Sequence, residues 1–425
     1  MNIWNIKLKA GALQYTILIA VVIALLVFSF ISLSYLHQNI KIKNHHFLQA
    51  VHQVNWGVNY ASNTEMLYNE TITLNSQEYS EGTTTLRKKN WGIFEVLTVT
   101  SAIGNESFTK NAMLGGYWSD RPSLYIQENN QPLVVVGDTK IEGKTFLSNT
   151  GVKRGSIAGY SYTGSQLIYG SVETSTNTLP VINNRSYLKQ LSLGLIQVEN
   201  TIPLELQENR TVYNSFSSAT QVVFNDTAIE LQDVQLTGNI IIQSATAIKV
   251  NKSAKLSDVL LIAPIIEIAD GVTGNFQAIA THKIVVGKNC QLNYPSSLVV
   301  YENETNQTPN QNKPEENSNQ IQIQSGTELR GVVAFLSDDE IYNYAAQMSI
   351  EETVKIKGEV YCNKNMELKG TVIGSVFTKG FIAHQFGSIY LNHIYNGTIL
   401  PFECPKQYAG FGLETKVQKI AKWLY

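Results

Sequence analysis

The 425-residue sequence predicts a mainly β fold in which a long N-terminal transmembrane and amphipathic helix precedes a parallel β-helix, or solenoid, carrying insertions. Three observations predict it. Residues 10–35 form an apolar run without one charged side chain, a helical periodicity continues that run to residue 61, and a unit of 18–19 residues repeats between 228 and 301.

The apolar run exceeds the ~20 residues that a helix needs to cross a bilayer core. From Ile17 to Ile31 only Ser29 carries a polar side chain. A cleaved secretory signal is the alternative, because Lys7 and Lys9 precede the run, but its length and the bulky Phe28, Phe30, Leu33 and Tyr35 at its far end argue for a retained anchor. Lys41 and Lys43 balance Lys7 and Lys9, so the loop charges fix no orientation; the short N-terminus is expected inside and the remainder of the chain outside. Beyond Tyr35 there is no proline before residue 62, and Ile40, Phe47, Val51, Val54, Val58 and Ala61 recur at helical spacing. One continuous helix over residues 12–62 is therefore expected, its first half in lipid and its second laid on a soluble domain.

The basic leader MNIWNIKLKAG followed by GALQYTILIAVVIALL resembles type IV pilins and the pseudopilins of type II secretion. The resemblance extends from Met1 to about Tyr60. Thr16, at the fifth position after Gly11, replaces the glutamate of most major pilins, so minor pilins and the tip pseudopilin are the closer comparison. It implies cleavage between Gly11 and Ala12 by a prepilin peptidase. It also implies a bacterial inner-membrane location with the bulk of the chain periplasmic or extracellular, and partners that are other pilin-like or envelope proteins packed through the apolar helix.

A net charge of -2 with no basic cluster excludes nucleic acid as a partner. Charged residues make up 16% while tyrosine is abundant, at 21, which suits an exported domain built of strands and turns. Cys290, Cys362 and Cys404 are too few and too scattered for a disulfide framework or a zinc site. One pair can form, and one thiol is left over.

The repeat aligns AIELQDV, AIKVNKS, IIEIADG and KIVVGKN at Ile229, Ile248, Ile266 and Ile284, with spacings of 19, 18 and 18. Each is followed by a second strand-like stretch: NIIIQS, DVLLIA, NFQAIA and SSLVVY. Two short strands per unit, with Gly, Asn and Asp at the turns, read as one coil of a β-helix whose inward isoleucines are buried only when coils stack. Similar pieces recur at 321–336 and 354–377, and DTKIEGKTFL, GSIAGYSYTG and LIYGSVETS extend the pattern to earlier coils. The glycine and β-branched punctuation resembles the polymer-forming bactofilin solenoids in its periodicity. An antiparallel sandwich is the alternative fold.

Two insertions and a cap complete the organisation. Residues 181–220 contain a helical segment with Leu188, Leu191 and Ile196 on one face, and residues 302–320 hold no large apolar side chain, which predicts a solvated loop. Leu413, Val417, Ile420 and Leu424 are spaced as in a short amphipathic helix within a C-terminal cap over 401–425. The segments are thus a leader over 1–11, the helix over 12–62, a β-rich region over 63–180, the helical insertion, the solenoid over 221–400 and the cap.

No catalytic constellation emerges. Glycoside cleavage needs two carboxylates a few ångströms apart, and the dense acidic group is Asp338, Asp339 and Glu340, followed by Glu351 and Glu352, which reads as a solvated turn, with a calcium-binding or catalytic pair as the alternative. His37, His45, His46 and His52 lie on the long helix, while His282, His384 and His393 are scattered through strands. No HExxH, GxSxG or phosphate-binding glycine loop is present. The nine Asn-x-Ser/Thr triplets, among them Asn69, Asn105 and Asn396, fit a eukaryotic glycoprotein but arise readily in a chain rich in Asn, Ser and Thr. The expectation is a membrane-anchored structural or assembly protein, with no enzyme activity, cofactor or metal. The alternative is a membrane-tethered β-helix that binds or cleaves cell-surface polysaccharide.

Overall fold

A computed structural model describes residues 11–74, 82–195, 201–207, 209–302, 320–339, 344–401, 408–414 and 417–425. The fold is mainly β with one long apolar N-terminal helix, α1 (Gly11–Asn63), and a short helix, α2 (Arg185–Ser192). The chain forms two compact units. One comprises Met1–Gly57, Ile72–Thr85 and Val99–Thr109; the other comprises Val58–Thr71, Leu86–Thr98 and Lys110–Tyr425.

In the first unit α1 buries Ala50 and Val54, and the Phe47 ring meets Phe108 edge-on at 5.7 Å. Gln53 lies on the same buried face, where its carbonyl oxygen accepts hydrogen bonds from the hydroxyls of Thr84 (2.8 Å) and Ser101 (2.7 Å). Buried hydroxyls need partners, and the glutamine supplies one acceptor to two of them. The apolar face expected from Ile40 onward begins later: Ile40 is 49% exposed and Phe47 remains partly exposed, because the first aromatic contact from a strand is made at Phe47. Val54, Val58 and Ala61 are buried as expected.

The second unit holds a closed, predominantly parallel sheet. Three parallel ladders run through it. In one, Ile229, Ile248, Ile266 and Ile284 pair in register, and the column continues through Ile321, Met348, Met366 and Phe381, every member buried. A second column runs Ile242, Leu261, Ala278, Leu298, Val333, Val360 and Val376. A third runs Leu292, Leu329, Ile356, Val372, Ile399 and Ile141. The wider interval between Ile284 and Ile321 takes up the polar segment expected as a loop, of which 303–319 lies outside the described residues.

The ladders do not follow chain order. Val376 pairs with Leu124, Leu124 with Thr145 and Thr145 with Val172, so early segments extend the sheet beyond a late strand, Thr371–Gln385. At the opposite end Thr201–Pro203 pairs with Thr220–Val222. The connection between those ends contains α2, whose Leu188 and Leu191 are buried in one cluster with Leu260, Ile262, Ile279 and Val299 on the outer side of the ladders. Ile196, expected on the same helical face, lies outside the described residues. The segment GSIAGYSYTG forms no parallel rung. It is an antiparallel hairpin, Ser156–Ile157 with Tyr160–Ser161, because Ala158 and Gly159 adopt positive φ and reverse the chain in two residues.

A five-stranded sheet is ordered Thr71–Leu74, Thr83–Trp91, Phe94–Ile103, Glu106–Gly116 and Gln418–Leu424. The last of these corrects the expected C-terminal helix: Gln418–Leu424 pairs antiparallel with residues 111–116. An irregularity between Ile420 and Lys422 breaks the strand's alternation, so its apolar spacing imitates a helix, whereas the open edge of Glu106–Gly116 offers backbone groups that only a strand satisfies.

One ladder position demands glycine. Ser296, Gly331, Gly358 and Gly374 pair in succession, and the three glycines have φ of 144°, 148° and 154°. A Cβ on Gly358 would fall on the carbonyl oxygen of Gly331.

Two substitutions test the ladders in thermal unfolding of the detergent-solubilised chain followed by circular dichroism. Ile266→Asp places an unpaired carboxylate in the buried column and is expected to cost about 3–5 kcal/mol; an unchanged midpoint would put residue 266 on the surface. Gly358→Ala is expected to cost on the order of 1–3 kcal/mol from backbone strain alone, with more from the clash, whereas Gly151→Ala, where a Cβ meets open space, isolates the strain.

Candidate functional site

Seventeen large apolar side chains between Leu13 and Leu36 are exposed along α1, with Phe28 at 69% and Phe30 at 73%. Removing a side chain of this kind from water is worth about 1.5–3 kcal/mol, so the whole stripe represents tens of kcal/mol. No residue of the 18-residue window with the highest hydropathy is buried by the protein. The Thr16 hydroxyl of this segment is satisfied locally, donating to the Leu13 carbonyl at 2.9 Å, a bond that lowers the cost of a threonine in an apolar medium. Gly11 and Ala12 occupy the first described turn, and apart from the adjoining residues and the helix's own backbone no atom of the described residues lies within 4 Å of the position a Gly11 Cβ would take. α1 is long and apolar enough to cross a membrane.

Asp338 is exposed in a bend, as a solvated turn predicts, but its carboxylate is bonded. Asp338 accepts hydrogen bonds from Arg185 (2.8 Å), Lys189 (2.5 Å) and the Tyr301 hydroxyl (2.7 Å), which ties α2 to the strand Gln291–Tyr301. Asp339 faces Lys364 at 3.8 Å, and Glu351 accepts from the backbone and hydroxyl of Ser325. Glu340 lies outside the described residues. Burial alone would raise the Asp338 carboxyl, but the hydrogen bonds from Lys189, Tyr301 and Arg185, with the guanidinium charge, bring it down to about 2.

Other titratable groups are committed to structure. The Glu359 carboxylate is fully enclosed, pairs with Arg121 and accepts from the Phe411 amide at 2.6 Å; burial raises its carboxyl against the opposing Arg121 charge. Asp258 sits inside the sheet at positive φ, with both oxygens on Lys422 (2.7 and 2.8 Å) and one on the Tyr425 hydroxyl, so it pins the C-terminal strand. Cys290 and Cys362 are buried free thiols, both raised by desolvation and Cys362 to about 12, which removes them as nucleophiles. Cys404 lies outside the described residues. His282, His384 and His393 sit on separate strands, and among the described residues no three His, Cys, Asp or Glu side chains are grouped to hold a metal. Sequence reasoning missed the Arg121–Glu359, Arg185–Asp338 and Lys422–Asp258 pairs, because each joins segments far apart in the chain and leaves no local signal.

No protein-family model matches this chain, and no curated protein matches it. Among solved structures it is similar to the crystal structure of the competence-associated pilin ComZ from Thermus thermophilus, at 10% identity over 89% of this chain and 97% of that one. The TM-score is 0.21, a level of likeness that carries no argument about fold or function.

The Asp338 contacts set an acid dependence. A carboxylate held below its ordinary value of about 3.9 contributes stability that is whole above pH ~4 and lost as pH falls through ~2. Asp338→Asn should therefore lower the unfolding midpoint at pH 7 and flatten its acid decline between pH 4 and 2; an unchanged acid limb would show that the carboxylate contributes nothing.

Proposed function

We propose that this chain is a single-pass membrane-anchored structural or assembly protein, a pilin-like component whose outer region is a parallel β-helix. The observation that carries the reading is the uncovered, uncharged stripe of α1, which continues without a break into the segment that buries Ala50 and Val54. A helix with these two halves is suited to anchor the folded part of the chain to the lipid. In-register pairing along the long columns supports the β-helix. The basic leader and the Gly11–Ala12 junction support processing by a prepilin peptidase, with the inner membrane of a bacterium as the location and other pilin-like or envelope proteins as partners. We place the chain outside the enzymes: Asp338 and Asp339, the acidic residues most suited to hydrolysis, are each turned toward separate cations.

Fractionation tests the anchor. The full chain is expected in the membrane pellet after an alkaline wash, and a chain lacking residues 1–35 in the aqueous phase. N-terminal sequencing of the membrane-extracted protein should begin at Ala12; a start at Met1 reduces α1 to a plain signal anchor, and a start beyond Tyr35 makes the protein a secreted one.

A further inference from the structure

Two hairpin tips stand side by side in the second unit. Ala158–Gly159 turns the chain with φ of 50° and 88°, and Phe386–Gly387 does so with 53° and 76°. Positive φ at both central residues defines the tight turn whose natural occupants are Asn, Asp and Gly, so phenylalanine at the first position of such a turn is a bulky residue in strained backbone. The turn places an aromatic ring in solvent. Phe386 is 63% exposed and Tyr160 56%, and their rings stack 5.9 Å apart with planes 2° from parallel.

The pair is part of a larger aromatic surface. Tyr395 meets Tyr160 edge-on at 6.4 Å, and Tyr390 and Tyr395 pack on a small base of Val136, Ile157 and Ala383. His393 lies 5.6 Å from Tyr390. Its Nδ1 is 2.6 Å from the Leu391 carbonyl, which can only accept, so Nδ1 carries a proton and Nε2 is the ring nitrogen left for a ligand. The hydroxyls of Tyr160, Tyr390 and Tyr395 have no hydrogen-bond partner among the described residues. Residues 155–170 and 380–397, which carry this surface, contain no Asp, Glu, Lys or Arg.

We propose that Tyr160, Phe386, Tyr390, His393 and Tyr395 form a binding platform for a neutral glycan chain. A pyranose ring is apolar on its C–H faces and hydroxylated at its edge, so it suits flat aromatic carbon beside unclaimed hydroxyls and a ring nitrogen. That combination is present, and among the described residues no cation lies over the rings of Tyr160, Phe386, Tyr390 or Tyr395. The neighbouring charges are of both signs, Asp138 on Thr163, Glu367 beside His384, Arg154 over Tyr162 and Lys140 over Tyr169, so no single-sign field favours a nucleic acid, an acidic polysaccharide or a charged protein. A second copy of the chain seated here would instead bury the three phenol hydroxyls against aromatic faces, at the cost of leaving them unpaired. The site goes beyond the anchoring role and requires only that this surface be on the exported side.

Calorimetric titration of the full, detergent-solubilised chain with cellohexaose, maltohexaose and chitohexaose tests the proposal, independently of membrane insertion and filament assembly. At least one is expected to bind saturably. Phe386→Asn, which gives the turn a residue suited to positive φ, should keep or raise the unfolding midpoint while weakening binding about tenfold or more, and Tyr160→Ser should weaken it likewise. No binding of any of the three, or affinity unchanged in both variants, overturns the proposal. Tighter binding of a heparin hexasaccharide would overturn the neutral ligand, and concentration-dependent self-association abolished by Phe386→Asn would assign the surface to a second copy instead.

Discussion

The strand Ala247–Val250 is four residues long, and its amides, carbonyls and isoleucine are satisfied only by the strands paired on either side of it, Ile229–Leu231 and Lys255–Ile268. Alone it would leave polar backbone unpaired and Ile248 in water, each at a cost that so short a strand does not recover. Stacking at ~4.8 Å closes the backbone ladder and the apolar column in one step. The rest of the second unit depends on that coupling. The glycines at 331, 358 and 374 exist because successive rungs approach too closely there for a side chain, and the buried pairs at Asp258 and Glu359 hang peripheral segments on the stack.

The same physics creates a problem at the outer surface. Ile241, Leu260, Ile262, Ile279 and Val299 point away from the interior, and they are covered by Leu188 and Leu191 of α2 together with Trp91, Phe94, Val96 and Met113. The polar edge of this cover is held by discrete bonds. Gln277 donates to the Trp91 carbonyl and accepts from the Ile93 amide, both at 2.9 Å, and Asn184 donates to the Ile93 carbonyl at 3.2 Å. Because Leu124 pairs with Val376, from the opposite end of the chain, the ladder is completed only after its late strands exist. Loop closure over such separations opposes fast folding.

α1 presents two different surfaces along one axis. Its first half carries an apolar surface that the described residues do not cover; its second half has a narrow buried face on which Gln53 accepts from the Thr84 and Ser101 hydroxyls beside Ala50 and Val54. A chain with this division gains from continuity, since a break at the boundary would expose four amides and four carbonyls.

How much of this was legible in the sequence depends on the range of the interaction. The apolar run, the single long helix and the regular spacing of isoleucines are local or periodic, so residue order alone determined α1 and the Ile229–Ile248–Ile266–Ile284 column. The same holds for the burial of Leu188 and Leu191, which share a helical face. The order of the rungs, the antiparallel turn at Ala158–Gly159 and the strand at Gln418–Leu424 were decided by tertiary structure, because each follows from which backbone edge was left open by distant segments. The aromatic platform was equally hidden: Tyr160 and Phe386 are remote in sequence and meet only where two tight turns come together. Periodicity reports what a residue buries, whereas only the assembled stack decides which exposed groups become neighbours.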